Sequence, residues 1–227
     1  MNISSVAKPT IKDIADRITD AVMEHRLPPG SKLVEDKLAA AFKVSRTKVR
    51  QALTLLANEG IVILHANRGA FVASPTADEA RELFATRHLV EPEIMRSVIA
   101  RATKGDIKLL RKHLAEESHA REIGDRRAVI RLSGEFHLLL ADLSGNRFIK
   151  KIMSVLCPLT CLIIALYDAP KTPACPEDEH SCIVAAIEAK DEERAIELMV
   201  QHLQHIQNAL KIDAYDQQDI KWESLYG

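Results

Sequence analysis

The chain has 227 residues, with 47% hydrophobic, 28% charged and only 4% aromatic residues, and a formal net charge of −1. That length gives one large domain or two modest ones with a real core, and the shortage of aromatics and glycines argues against an all-β fold. The neutral total hides an asymmetry: residues 1–75 hold 11 Lys and Arg against 7 Asp and Glu, whereas the remainder holds 20 against 25. Only the amino-terminal third is expected to meet a polyanion.

MNISSVAKPTIKD carries no sustained apolar region, so no secretory signal is expected. Ile11 to His25 places Ile11, Ile14, Ala15, Ile18 and Val22 on one helical face, and Pro28, Pro29 and Gly30 stop it. Glu35 to Phe42 reads as a short second helix, followed by a tight turn at Lys43-Val44. Ser45 is a good N-cap for a third helix running to about Asn58 and ended by Gly60. Ile61–Leu64 and Ala70–Ala73 are β-prone and flank Asn67-Arg68-Gly69, a hairpin signal. Three helices and a hairpin, in that order, predict a winged helix-turn-helix over residues 1–75.

SPTADEA is a short linker and helix cap. From there the pattern is almost entirely 3.6-residue periodic, with helices expected near 76–102, 104–123, 126–143, 146–168, 176–189 and 191–211. Pro92 falls inside the first and Pro158 inside the fourth, and the loop YDAPKTPACPEDE is the one long irregular segment. Residues 76–227 are therefore expected to form an antiparallel α-helical bundle, making the whole chain mainly α. The mostly apolar run Ile152–Leu166 is shorter than the ~20 residues of a membrane span, so a core helix is expected. Cys157, Cys161, Cys175 and Cys182 form no C-x-x-C pair, which fits reduced thiols in a cytoplasmic protein.

The stretch VSRTKVRQAL opens its helix with Ser45, Arg46, Thr47 and Lys48, then places Arg50 one turn beyond Arg46. A helix N-terminus is already partly positive, so cations gathered there call for an external anion. In a helix-turn-helix the second helix enters the major groove by its first turns. Arg46 and Arg50 share a face and suit the paired acceptors of guanine, while Ser45 and Thr47 suit phosphate. Val49, Leu53 and Leu56 form the opposite, core-facing stripe. Arg68 stands at the tip of the hairpin.

PPGSKLVEDKLAAAFKVSRTKVRQALTLLANEGIV followed by NRGAFV resembles the DNA-binding domain of the GntR family of bacterial transcription regulators, over residues 10–74. The resemblance implies that Arg46 and Arg50 read bases and phosphates, that Ser45 and Thr47 anchor the backbone, and that the wing around Asn67, Arg68 and Gly69 reaches the minor groove. Some members carry a basic residue where this chain has Asp36. Arg87 and Glu91, the EFH of residues 135–137, SGN at 144–146, EH at 179–180 and HL at 202–203 resemble the FCD effector domain of the FadR-like branch, over residues 78–211.

His137, His180 and His202 each sit in an apolar stripe of a different expected helix, and buried imidazoles need partners. A shared divalent ion, most simply zinc, satisfies three at once; hydrogen-bonded core histidines around a metal-free pocket are the alternative. His205, one turn beyond His202, is the nearest other candidate. Many FCD domains place an aspartate four residues before the first of these histidines, where this chain has Ser133. Arg87 and Glu91 lie in an apolar stripe, as an internal ion pair, as a clamp for an organic acid's carboxylate, or as both in turn. Ser133 joins them as a candidate effector contact.

The reading is a ligand-responsive, operator-binding regulator acting as a homodimer, because half-site pairs need two-fold proteins. It is not read as an enzyme: a zinc hydrolase built on the three histidines lacks an acid/base residue at fixed spacing to them and leaves the DNA-reading third unexplained. An effector-independent architectural DNA binder is the other alternative.

Overall fold

The computed structural model describes residues 8–167 and 178–212. Residues 168–177 of the proline-rich loop, Cys175 among them, and the expected helix ends at 168 and 176–177 lie outside the described residues, as do 1–7 and 213–227. The elements run α1 (Ile11–Met23), β1 (Lys32–Leu33), α2 (Glu35–Phe42), α3 (Arg46–Asn58), β2 (Val62–His65), β3 (Gly69–Val72), α4 (Ala77–Arg101), α5 (Lys104–Glu122), α6 (Arg126–Leu143), α7 (Arg147–Tyr167), α8 (Glu179–Ala189) and α9 (Glu192–Ala209).

Short polar side chains set the helix starts. Thr10, Thr76 and Thr103 close capping boxes with Asp13, Glu79 and Asp106, satisfying amides that the first turns of α1, α4 and α5 would leave bare. The wing folds because β2 and β3 pair antiparallel from Val62↔Val72 to His65↔Gly69, across a turn in which Asn67 (φ 62°) and Gly69 (φ 91°) take left-handed backbone. The two-residue β1 adds to the far edge of β3, with Leu33 opposite Ala70. Such a strand has no periodicity of its own to read and was not expected.

Ile14, Ile18, Val22, Val49, Leu53, Leu56, Ile61 and Val72 form the core of the amino-terminal part, and Leu162 of α7 is buried among them. The main bundle core gathers Met95, Val98, Phe136, Leu140, Met153, Ile183, Ile187, Met199 and Leu203. A smaller cluster joins Ala77, Ala80 and Phe84 of α4 to Tyr167, Ile206 and Ile212. The 21-residue α7 is long and apolar enough to cross a membrane by length and composition, longer than the run expected. Met153, Cys157, Leu162, Ile163 and Tyr167 are instead buried against the rest of the protein. Pro92 and Pro158 sit inside α4 and α7 without ending them.

Candidate functional site

His137 on α6, His180 in the first turn of α8 and His202 on α9 converge, at 2%, 2% and 0% exposure. The Nε2 atoms of His137 and His202 are 3.2 Å apart, and those of His180 and His202 3.3 Å. Each ring is held from behind by a carboxylate. His137 Nδ1 lies 2.6 Å from Glu91, His180 Nδ1 2.8 Å from Glu117, and His202 Nδ1 2.6 Å from Glu179. A carboxylate accepts only, so a neutral ring so held carries its proton on Nδ1 and presents a lone pair at Nε2. Three lone pairs therefore point at one place. Tetrahedral zinc, with Zn–N bonds of ~2.0–2.1 Å, separates its nitrogen ligands by about 3.3 Å; two of the three Nε2 separations match it, and all three ligand atoms lie within 4.8 Å of one another. Carboxylates behind ligating histidines also fix ring orientation and tautomer.

Glu91 is the hub. Its Oε1 accepts from Arg87 Nε at 2.6 Å while Oε2 faces His137. Arg87, 2% exposed, also donates through Nη1 to Thr160 Oγ1 at 3.2 Å, and its Nη2 has no hydrogen-bond partner. Burial alone would raise the Glu91 carboxyl, but the Arg87 charge and the hydrogen bonds from Arg87 and His137 override it and hold it well below the usual carboxylate range. For Glu117 burial is likewise outweighed, here by His180 and Arg121, and the carboxyl is pushed down to about 2. Burial drives His137 down to about 3 against the pull of Glu91, so its imidazole is neutral at pH 7.

Beside His137 and Arg87 lies a cavity of about 80 Å³. Arg87, Arg121, Arg126, Ser133 and Thr160 supply its polar wall, and Val129, Ile130, Ile164 and Ile206 its apolar wall. Among the described residues, no Asp or Glu lines it. Ser133 lines the cavity, whereas Glu91 does not, having both oxygens engaged behind it. Cys161 also lines the wall, and burial pushes its thiol up to about 12, so it stays protonated. His205 pairs with Glu179 from the outside, at 55% exposure, and is not one of the three converging rings.

Sequence reasoning missed Glu117, Glu179, Thr160, Arg121 and Arg126. Glu179 had a signal, its position next to His180. Glu117 had none, because it meets His180 across a sequence separation of 63 residues. The absence of acid/base residues near the histidines also needs correction: three carboxylates are within hydrogen-bond reach, but all on the Nδ1 side, away from the converging Nε2 atoms.

At the other end of the molecule, Ser45 caps α3 by accepting from the Lys48 amide at 3.3 Å. Ser45, Arg46, Thr47 and Arg50 are exposed, as are Asn67, Arg68 and Gly69 of the wing, while Val49, Leu53 and Leu56 are buried. Lys48 is not brought to the Arg46/Arg50 face. Its Nζ turns back to donate to the Pro9 carbonyl at 2.9 Å.

Comparison with known proteins agrees with this layout. Residues 10–72 match the model of the bacterial regulatory proteins of the gntR family, and residues 82–205 match the FCD domain. The HTH-type transcriptional regulator YdhC of Bacillus subtilis (strain 168) is 30% identical over 180 residues, covering 78% of this chain and 80% of that protein. The Nta operon transcriptional regulator of Aminobacter aminovorans is 34% identical over 59% of this chain and 63% of its own length. The crystal structure of a GntR-type regulator from Rhodococcus sp. RHA1 superposes with a TM-score of 0.74 at 26% identity, covering 88% of this chain and 98% of that one. With a DNA-reading winged helix-turn-helix at one end and an FCD bundle around a buried histidine cluster at the other, the chain belongs to the GntR family of bacterial transcription regulators.

Proposed function

We propose that the effector of this regulator is a small carboxylate, and that it binds in the cavity between Arg87 and a divalent ion, zinc, held by His137, His180 and His202. One observation carries the reading: all three Nδ1 atoms are committed to carboxylates, so the three Nε2 atoms of the neutral rings turn their lone pairs toward one another. Without a cation that arrangement is repulsive; with one it is a ligand set. Three neutral histidines leave the charge of the ion uncompensated in the inner shell, since Ser133 supplies no carboxylate there, and an anionic effector supplies what is missing. The spare Arg87 Nη2 and the hydroxyls of Ser133 and Thr160 offer it further hydrogen bonds, and the cavity volume limits it to a few heavy atoms beyond the carboxylate.

On this reading residues 1–75 read DNA through Ser45, Arg46, Thr47, Arg50 and the wing, and residues 76–227 sense the effector. The protein works as a homodimer. Phe148 and Ile152 of α7 and Leu89 of α4 leave large apolar side chains 64%, 42% and 79% exposed, on helices whose other faces are buried, which supports an interface there.

Metal analysis of protein purified without added metal, with wild type and His202→Ala side by side, tests the reading. About one zinc per chain is expected in the wild type and none in the variant, with loss of the response of DNA binding to a carboxylate panel. Wild type without stoichiometric metal, together with an intact response in His202→Ala, would reduce the site to three core histidines.

A further inference from the structure

The exposed start of the recognition helix faces acid. Glu35 and Asp36 open α2, and both carboxylates lie on α3's reading arginines. Glu35 meets Arg50 fork to fork: Nε donates to Oε1 at 3.1 Å and Nη2 donates to Oε2 at 2.8 Å. Arg46 Nε is 3.1 Å from Asp36 Oδ1, and Arg46 Nη2 is 3.7 Å from Glu35 Oε2. The Arg50 hydrogen bonds hold the Glu35 carboxyl below its ordinary range. On a surface meant for phosphates, two carboxylates are a cost unless they do something else.

We propose that Glu35 and Asp36 are positioning residues for sequence readout, fixing the planes of Arg50 and Arg46 so that each offers one free edge to a base. A guanidinium has five N–H bonds. Glu35 uses one on Nε and one on Nη2, which leaves the Nη1/Nη2 edge of Arg50 with the paired donors that match guanine O6 and N7. An arginine that swings freely meets phosphates as readily as bases; one clamped along its Nε edge meets a base at a set angle. The inference rests on the reading of Arg46 and Arg50 as base contacts.

Its signature is a change of opposite sign on two kinds of DNA. Removing a negative charge beside the duplex strengthens sequence-independent binding, whereas removing a positioning clamp weakens discrimination. A pool of duplexes with 20 randomised base pairs, selected with the full-length wild type, supplies the most enriched duplex and a scrambled one of equal composition as probes. Glu35→Gln is expected to bind the scrambled duplex as tightly as wild type or tighter, while its enriched-to-scrambled affinity ratio falls by about tenfold. The lost preference falls on the same base pair that Arg50→Ala relaxes. Asp36→Asn behaves likewise at the base pair that Arg46→Ala relaxes. Glu35→Asp keeps the charge but shortens the reach, and its ratio falls too, with an unchanged melting temperature showing that α2 is intact. Parallel tightening on both duplexes at an unchanged ratio in Glu35→Gln and Asp36→Asn would overturn the positioning role alone. An Arg50→Ala protein that keeps the full wild-type profile would overturn the reading beneath it as well.

Discussion

Replacing Glu91 by Gln isolates the buried charge at the centre of the bundle. The amide keeps the shape and one acceptor for His137, but leaves the Arg87 guanidinium, 2% exposed, without a counter-charge. Breaking a buried pair from one side costs about 3–5 kcal/mol, because the remaining charge keeps its desolvation penalty and loses its compensation. For a chain of this size that is a fall in melting temperature on the order of 10 °C. The same change weakens the support behind His137, so zinc affinity should fall by about 10- to 100-fold. Far-ultraviolet circular dichroism across a urea titration of the metal-free protein measures the first effect, and a chelator competition measures the second. Adding Arg87→Met to Glu91→Gln removes the orphaned cation and should restore most of the lost stability, since a buried pair is often no better than apolar residues of similar volume. The double variant would still fail to respond to a carboxylate. A metal-free Glu91→Gln protein within about 1 kcal/mol of wild type would refute the argument that Arg87 depends on Glu91.

Acid should destabilise the metal-free protein in a defined window. Burial lowers His137 from 6.5 to about 3, so the unfolded chain binds the extra proton first; the stability it confers is full above pH 6.5 and lost as pH falls towards 3. Urea midpoints should therefore drop between pH 6.5 and 4.5, by up to about 1.4 kcal/mol per pH unit from this group, and the slope should flatten in His137→Gln. Glu117, lowered from 4.5 to about 2, adds a loss of the same sign below pH 4.5. Ser133→Asp should tighten zinc in the same chelator competition, by adding an anionic oxygen at the cavity wall; unchanged affinity would place residue 133 out of reach of the ion. Phe148→Asp with Ile152→Asp should shift sedimentation from dimer towards monomer, and a wild type that sediments as a monomer even on DNA would remove the dimer.

What the sequence discloses follows from the range of the forces involved. Helix α2 was legible to the residue, because its start and stop are local: Glu35 and Asp36 in the first turn and Lys43 in left-handed backbone at the end. The three histidines were legible because each interrupts an apolar stripe, and the Arg87–Glu91 pair because i, i+4 spacing places both on one face. Their joining was not. That Glu91 also holds His137, or that Glu117 stands behind His180, depends on how α4, α5, α6 and α8 pack, and no local pattern records it. Lys48 shows the same limit on the DNA side. Its place beside Arg46 and Thr47 in the sequence suggested a shared role, yet helical geometry turns it to the Pro9 carbonyl on the start of α1. The strand β1 exists only because β3 offers it an edge.

The position of the cavity bears on how an occupant could reach the DNA-reading end. The carboxy-terminal end of α1 rests on the cavity's outer wall: His25 Nε2 is 2.8 Å from the Cys161 carbonyl, and Arg131 Nε is 3.0 Å from Glu24 Oε1. Gly134 is bare at this crossing because a Cβ there would fall 2.7 Å from the Met23 methyl and 3.4 Å from Cys161 Sγ. Gly134 and Cys161 are themselves cavity residues, so the turns that would feel a ligand are the turns that carry α1. This contact is more direct than a path through residues 74–76 into α4. Energetics set what a ligand can do with it. Leu162, fully buried in the core of the winged part, would have to be uncovered for α1 to leave α7, at a cost of about 1.5–3 kcal/mol. Effectors typically couple to a second site by about 1–3 kcal/mol, and only through differential affinity for two arrangements. The two ranges overlap. A ligand that binds the docked arrangement better than the undocked one by that margin can therefore decide whether the winged part is held on α7 or released from it, without any change inside either core.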